Sequence, residues 1–113
     1  MHELSIAQCL LNLVQDESKK HGVSKVTRVC LRIGRLTAIA PEALTFCFEV
    51  ISESTIAEGA AIDIEVVPAR GRCQNCNADF EVDDSFLVCP TCKRIASEII
   101  SGRELEIVHI EVE

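Results

Sequence analysis

The 113-residue chain contains no tryptophan and no tyrosine, and its only aromatic side chains are four phenylalanines. A core built from it must be mostly aliphatic. No apolar run approaches the roughly 18 residues that a membrane-spanning helix needs, so no membrane partner is expected. The opening stretch MHELSIAQCLLNLVQDESKK has no basic segment and no small-residue cleavage site. It does not read as a secretory leader, so the expected compartment is the cytoplasm, with Met1 as the mature terminus. A P-loop, a GxGxxG fingerprint, a GxSxG elbow and an HExxH pair are also missing. No catalytic residue is assigned, and the chain is not expected to be an enzyme.

Positive charge is scarce as well. Lys and Arg number 11 against 18 Asp and Glu, a net charge of −7 with histidine neutral. Such a field repels phosphate backbones unless a local basic patch overcomes it. Around the later cysteines, Arg70, Arg72, Lys93 and Arg94 are interspersed with Asp79, Glu81, Asp83, Asp84 and Glu98. There is no basic stripe, and nucleic acid is not an expected partner.

Cysteine is what the chain has in quantity. There are seven, an odd number, and without a leader this argues against a disulfide framework. Cys73, Cys76, Cys89 and Cys92 fall within CQNCNADFEVDDSFLVCPTC, two C-x2-C knuckles separated by 12 residues. Knuckles so spaced can converge four thiolates tetrahedrally on one Zn2+, with Zn–S bonds of ~2.3 Å. Four protein ligands leave no open position, so such a zinc is structural. The intervening ADFEVDDSFLV can fold back as a short hairpin bearing Phe80, Val82, Phe86 and Val88. So short a segment buries little apolar surface, and metal ligation must carry much of its stability. A redox CxxC comes singly near a βαβ pattern, and iron–sulfur ligand spacings differ from this one. Cys9, Cys30 and Cys47 follow helix and strand patterns and read as small core hydrophobes.

The rest of the chain is periodic. Leu4, Ala7, Leu11 and Val14, widened by Leu10 and Leu13, recur at helical spacing, and Gly22 is placed to stop that helix. SKVTRVCLRIGRL alternates, with Thr27, Val29, Leu31 and Ile33 on one face and Arg28, Cys30 and Arg32 on the other. Pro41 opens a second helix, PEALTFCFEVISEST, with Leu44, Cys47, Phe48 and Ile51 on its apolar stripe and Phe46 and Val50 flanking it. AIDIEVVP gives a second strand with Ile62, Ile64 and Val66 inward. No sustained periodicity appears from about Arg70 to Ser97. ELEIVHIEVE is then strand-like, but its apolar parity switches near Ile107 and Val108, as at a β-bulge or in a strand covered on both faces. A lone last strand has little to pair with inside a small metal module, so it should rejoin the first sheet. The expected fold is α+β: a small three-stranded sheet with two helices, plus an inserted zinc-ribbon-like module. The expected division is 1–69 with 101–113, and 70–100 for zinc. A last strand that follows an insertion can also be exchanged between copies, which makes a homo-oligomer conceivable.

Three histidines remain. His21 ends the first helix, where it favours the C-terminal dipole. His109 lies in the last strand and reads as a satisfied core or edge residue, with a ligand role as the lesser alternative. His2 stands beside the Met1 amine. Amine, backbone nitrogen and imidazole can close adjacent chelate rings, a donor set that suits square-planar Ni(II) or Cu(II). Glu3 could add its amide nitrogen or a carboxylate oxygen. An ordinary disordered terminus is the plainer account of the same residues.

MHELSIAQCLL, VTRVCLRIGRLTAIAPEAL, FCFEVISESTIAEGAAIDIE, the paired knuckles and SGRELEIVHIEVE together resemble the HypA/HybF family over the whole chain. Those proteins are hydrogenase maturation factors that deliver nickel to [NiFe] hydrogenases. The resemblance implies a nickel site at Met1, His2 and Glu3, with His2 indispensable, and a structural zinc site at Cys73, Cys76, Cys89 and Cys92. It implies two partners, the GTPase HypB and the hydrogenase large subunit; some members also serve urease. Histidines that other members carry beside the zinc knuckles are absent between Cys73 and Cys92. The rival reading is a zinc-ribbon adaptor or regulator that binds protein or nucleic acid and carries no nickel.

Overall fold

Helical spacing at the start of the chain is realised as α1, Glu3–Lys20, which buries Ala7, Leu10, Leu11, Val14 and Ser18. These recur every three or four residues and so share one face. Leu13, expected to widen that stripe, is exposed; at 3.6 residues per turn it lies about 120° round the helix from Ala7. Leu4, in the first turn, is exposed too. The stop falls at Gly22, whose φ is 66°. The Val23 N–H bonds the Ser18 carbonyl at 3.0 Å and the Gly22 N–H that of Lys19 at 3.4 Å. This is the paired closure that a left-handed residue permits.

The structure, a computed structural model, describes residues 3–82, 88–94 and 98–113. β1 (Val26–Gly34) turns Val29, Leu31 and Ile33 inward, while Arg28, Cys30 and Arg32 are half-buried on its other face. One turn of 3-10 helix, Arg35–Thr37, leads to α2 (Pro41–Ile51), with Pro41 in the first turn. α2 buries Leu44 and Phe48, leaves Cys47 and Ile51 half-buried, and exposes Phe46 and Val50. It ends at Ser52, short of the expected Thr55; the Ser52 N–H closes on the Phe48 carbonyl, and Ser54 then takes a φ of 67°. The two helices pack against each other.

β2 (Ala61–Val67) and β6 (Leu105–Val112) flank β1 in a sheet of order β2-β1-β6. The last strand does rejoin the first sheet. Ile62 and Ile64 are half-buried, but Val66, expected inward, is exposed and Val67 takes the half-buried place. On the outer face Arg28, Cys30 and Arg32 meet Glu111, His109 and Glu106. Those partners step by two and then by three. The alternation of β6 therefore slips once between His109 and Glu106, where Ile107 and Val108 stand.

A second sheet joins β3 (Arg70–Arg72), β4 (Asp79–Glu81) and β5 (Glu98–Ser101) in the order β4-β3-β5. β3 pairs antiparallel with both neighbours, Gly71 opposite Phe80 and Ile99. Strands of three or four residues are too short for alternation to show in the sequence. Phe80 and Val82 are buried and Val88 is exposed; Phe86 lies outside the described residues. β4 pairs with β3; the turn of the expected fold-back, 83–87, lies outside the described residues.

By contact the chain divides into two compact units. The first is Met1–Arg32, Ile39–Glu65 and Glu106–Glu113; the second is Ile33–Ala38 and Val66–Leu105. The core of the second unit is Ala69, Cys73, Phe80, Val82 and Cys89, with Leu36 packed against it. Backbone bonds from Gly34 to the Glu104 carbonyl at 2.8 Å and from Leu36 to that of Gly102 at 2.7 Å tie the 3-10 turn to the same unit. Arg72 fastens its three strands on the outside, Nε donating to Asp79 at 2.8 Å and Nη1 to Glu98 at 3.3 Å. The hydrogen bond from Arg72 holds the Asp79 carboxyl below the usual carboxylate range.

Candidate metal centres

Two cysteine pairs build the clearest site, and each is made by the same local fold. The Cys73 N–H bonds the Ala78 carbonyl at 2.9 Å and the Asn77 N–H returns to the Cys73 carbonyl at 2.6 Å. In the other pair the Cys89 N–H bonds the Arg94 carbonyl at 2.7 Å and the Lys93 N–H returns to Cys89 at 2.9 Å. The residue after each second cysteine is left-handed, Asn77 at φ 61° and Lys93 at φ 67°. This reversal swings both sulfurs of a C-x2-C to one side and leaves backbone N–H groups aimed at them.

The four Sγ atoms lie within 4.8 Å of one another. Cys73 and Cys92 are 3.3 Å apart and Cys76 and Cys89 3.6 Å, and none forms a disulfide. A tetrahedral Zn2+ with bonds of ~2.3 Å would hold its sulfurs about 3.8 Å apart, so the donor set fits that ion. Electrostatics point the same way. The Cys92 N–H pulls the Cys89 thiol down to about 6, against burial and with help from Thr91. The Cys76 N–H lowers the Cys73 thiol. For Cys76 the Ala78 N–H pulls down, but Cys89, burial and the other thiols outweigh it and push it up to about 12. Four thiols this close cannot all ionise without a cation between them.

The nickel ligands expected at the terminus divide differently. Met1 and His2 lie outside the described residues. Glu3 begins α1, and its Oε2 accepts a hydrogen bond from the Ala40 N–H at 3.1 Å. His21 directly follows α1, with Nε2 3.5 Å from Glu17 Oε1.

A profile described as "Hydrogenase/urease nickel incorporation, metallochaperone, hypA" matches residues 1–112. The chain belongs to the HypA family. It is 42% identical over 118 residues to the hydrogenase maturation factor HypA of Lawsonia intracellularis and 44% identical over 117 residues to that of Solidesulfovibrio magneticus, with all of both chains covered in each case. Its fold is similar to the solution structure of the Ni metallochaperone HypA from Helicobacter pylori, with TM-score 0.68 and 27% identity, covering 99% of this chain and 97% of that one. A second HypA solution structure gives TM-score 0.73 at 26% identity, covering 100% and 97%. The α+β fold with its four-cysteine module is thus the fold of the family.

One cluster was not anticipated. Cys9 is exposed and Cys30 and Cys47 are only half-buried, so none of the three is the core hydrophobe expected. Cys30 Sγ lies 3.2 Å from His109 Nε2, and that nitrogen lies 3.5 Å from Glu111 Oε2. The parity of β1, which put Cys30 with Arg28 and Arg32, already placed it on the polar face. Nothing local could pair it with a histidine 79 residues away.

Proposed function

We propose that this chain carries Ni(II) as cargo for hydrogenase maturation and holds one structural Zn2+. The whole-chain match to a nickel-incorporation family, in a sequence that begins Met1-His2-Glu3, carries this reading. Met1 through its amine, His2 through backbone nitrogen and imidazole, and Glu3 are the nickel donors. That role needs a free α-amine at Met1. Cys73, Cys76, Cys89 and Cys92 hold the zinc, with 70–100 as the zinc-binding domain and 1–69 with 101–113 as the nickel-binding domain. The partners are the GTPase HypB and the hydrogenase large subunit, the compartment is the cytoplasm, and no catalysis by this chain is involved.

A carrier must hold nickel against scavengers and still release it. Donors at the end of a chain can leave one at a time, so exchange proceeds through incompletely bound states. Bound nitrogens must be deprotonated, and imidazole titrates near pH ~6.5, so mild acid favours release. The test is nickel titration of zinc-loaded protein with a native terminus. His2→Ala, and separately a residue added before Met1, should each weaken binding at least tenfold. Nickel bound as tightly by both as by the parent sinks the terminal site. Zinc alone, with salt-sensitive binding to generic DNA, would favour the adaptor.

A further inference from the structure

We propose that Cys30, His109 and Glu111 form a further, solvent-open site for a divalent ion of the Co2+ to Zn2+ series, on the outer face of the β2-β1-β6 sheet. One ligand atom from each lies within 4.8 Å of the other two. The three offer one sulfur, one imidazole nitrogen and one carboxylate oxygen, the mixture that borderline divalent ions accept. An ion with bonds of ~2.3 Å to sulfur and ~2.0–2.1 Å to nitrogen and oxygen separates these donors by about 3.3–3.6 Å in a tetrahedron. The observed 3.2 Å for Cys30–His109 and 3.5 Å for His109–Glu111 come close to that frame, so side-chain shifts of a few tenths of an ångström complete it.

The surroundings favour a cation. Arg28 bonds Asp63 and approaches Glu111 Oε1 at 3.5 Å, leaving Oε2 to face His109. Arg32 holds Glu65 at 3.3 Å and Glu106 at 2.9 Å. Four carboxylates thus surround two guanidinium groups, and the excess is negative. The same field argues against the other use of a Cys–His contact, an activated nucleophile. Burial, then Asp63 and Glu111, push the Cys30 thiol up, and Arg28 only partly opposes them. A nucleophilic thiolate needs positive surroundings, whereas a bound divalent ion supplies its own. The site opens into a depression lined by Cys30, Asp63, Glu65, Val108 and His109, so a fourth position is left to water or an incoming ligand. Three protein donors with an open position make a site that exchanges metal, unlike the closed four-cysteine set.

The experiment uses full-length protein with one zinc retained per chain, on a His2→Ala background that removes the terminal site, and titrates Co2+ alone. One further equivalent should bind and give a near-ultraviolet thiolate-to-cobalt charge-transfer band, which Zn2+ then displaces. Cys30→Ser should abolish the band and His109→Gln should weaken binding at least tenfold. Both side chains lie on the outer face, and an unchanged circular dichroism spectrum shows that the fold is kept. No band in the parent, a band that survives Cys30→Ser, or unchanged affinity in His109→Gln overturns the site. Since the terminal donor is absent throughout, none of these outcomes bears on the nickel cargo site.

Discussion

Asn77 and Lys93 stand in the same place, one behind each cysteine pair, and both hold left-handed backbone. Each donates its N–H to the carbonyl of the first cysteine of its pair. Asparagine tolerates this conformation well; a lysine in it costs about 1 kcal/mol. Lys93→Asn should therefore stabilise the zinc-bound second unit by about 0.5–1 kcal/mol and slow zinc loss to a chelator. Thermal melting and the rate of zinc transfer to a colorimetric chelator check this. Asn77→Val, β-branched at a positive φ, should do the reverse and by more.

Two of the five buried residues in the core of the second unit, Cys73 and Cys89, are themselves proposed ligands. Without metal that core loses its centre and keeps crowded thiols. Zinc removal, or Cys73→Ser, should collapse amide dispersion across 68–104 in NMR spectra while α1, α2 and the β2-β1-β6 sheet persist. A single cooperative loss of both units would show that they do not fold independently.

Long elements were legible because their patterns repeat. α1 spans 18 residues and presents its stripe several times before Gly22 closes it. β1 shows both of its faces over nine residues. The cysteine knuckles were legible because chelation fixes their spacing. What escaped was short or distant. β3, β4 and β5 have three or four residues each, and their pairing depends on contacts no local pattern encodes. Cys30 and His109 meet only because β6 returns beside β1 after the metal module. Leu4 and Leu13 show the opposite failure. Their residue type suits a core, but neither side chain is buried.

Ser18 breaks a rule inside the best-packed helix. It is 1% exposed, and among the described residues nothing bonds its Oγ. A buried hydroxyl without a partner costs about 1–3 kcal/mol in desolvation. Ser18→Ala removes that cost, leaves almost no void, and raises helix propensity. It should stabilise the first unit by about 1 kcal/mol, seen as a higher urea midpoint at unchanged m-value. A lower midpoint would mean that the hydroxyl is satisfied after all.

Gly34 allows no side chain of any size. A Cβ there would sit 2.1 Å from both the carbonyl carbon and oxygen of Gly102 and 2.6 Å from the Arg103 nitrogen. These are backbone atoms, and they are held. Leu36 bonds the Gly102 carbonyl, and the Gly102 N–H bonds Glu104 Oε1 at 2.8 Å. Gly102 cannot swing away easily, because its own Cα faces the Ala69 backbone, where an added Cβ would meet Ala69 Cα at 2.8 Å. Gly34→Ala must therefore force a pair of backbone segments apart and break the Gly34–Glu104 hydrogen bond. A cost of about 3 kcal/mol or more follows, well above the usual effect of a glycine replaced in a strand. The second unit should take most of it, so zinc-bound Gly34→Ala should lose its metal at lower urea than α1 unfolds. Parallel measurement of zinc release and far-ultraviolet circular dichroism separates the two, and coincident curves at the parent midpoint would refute the clash.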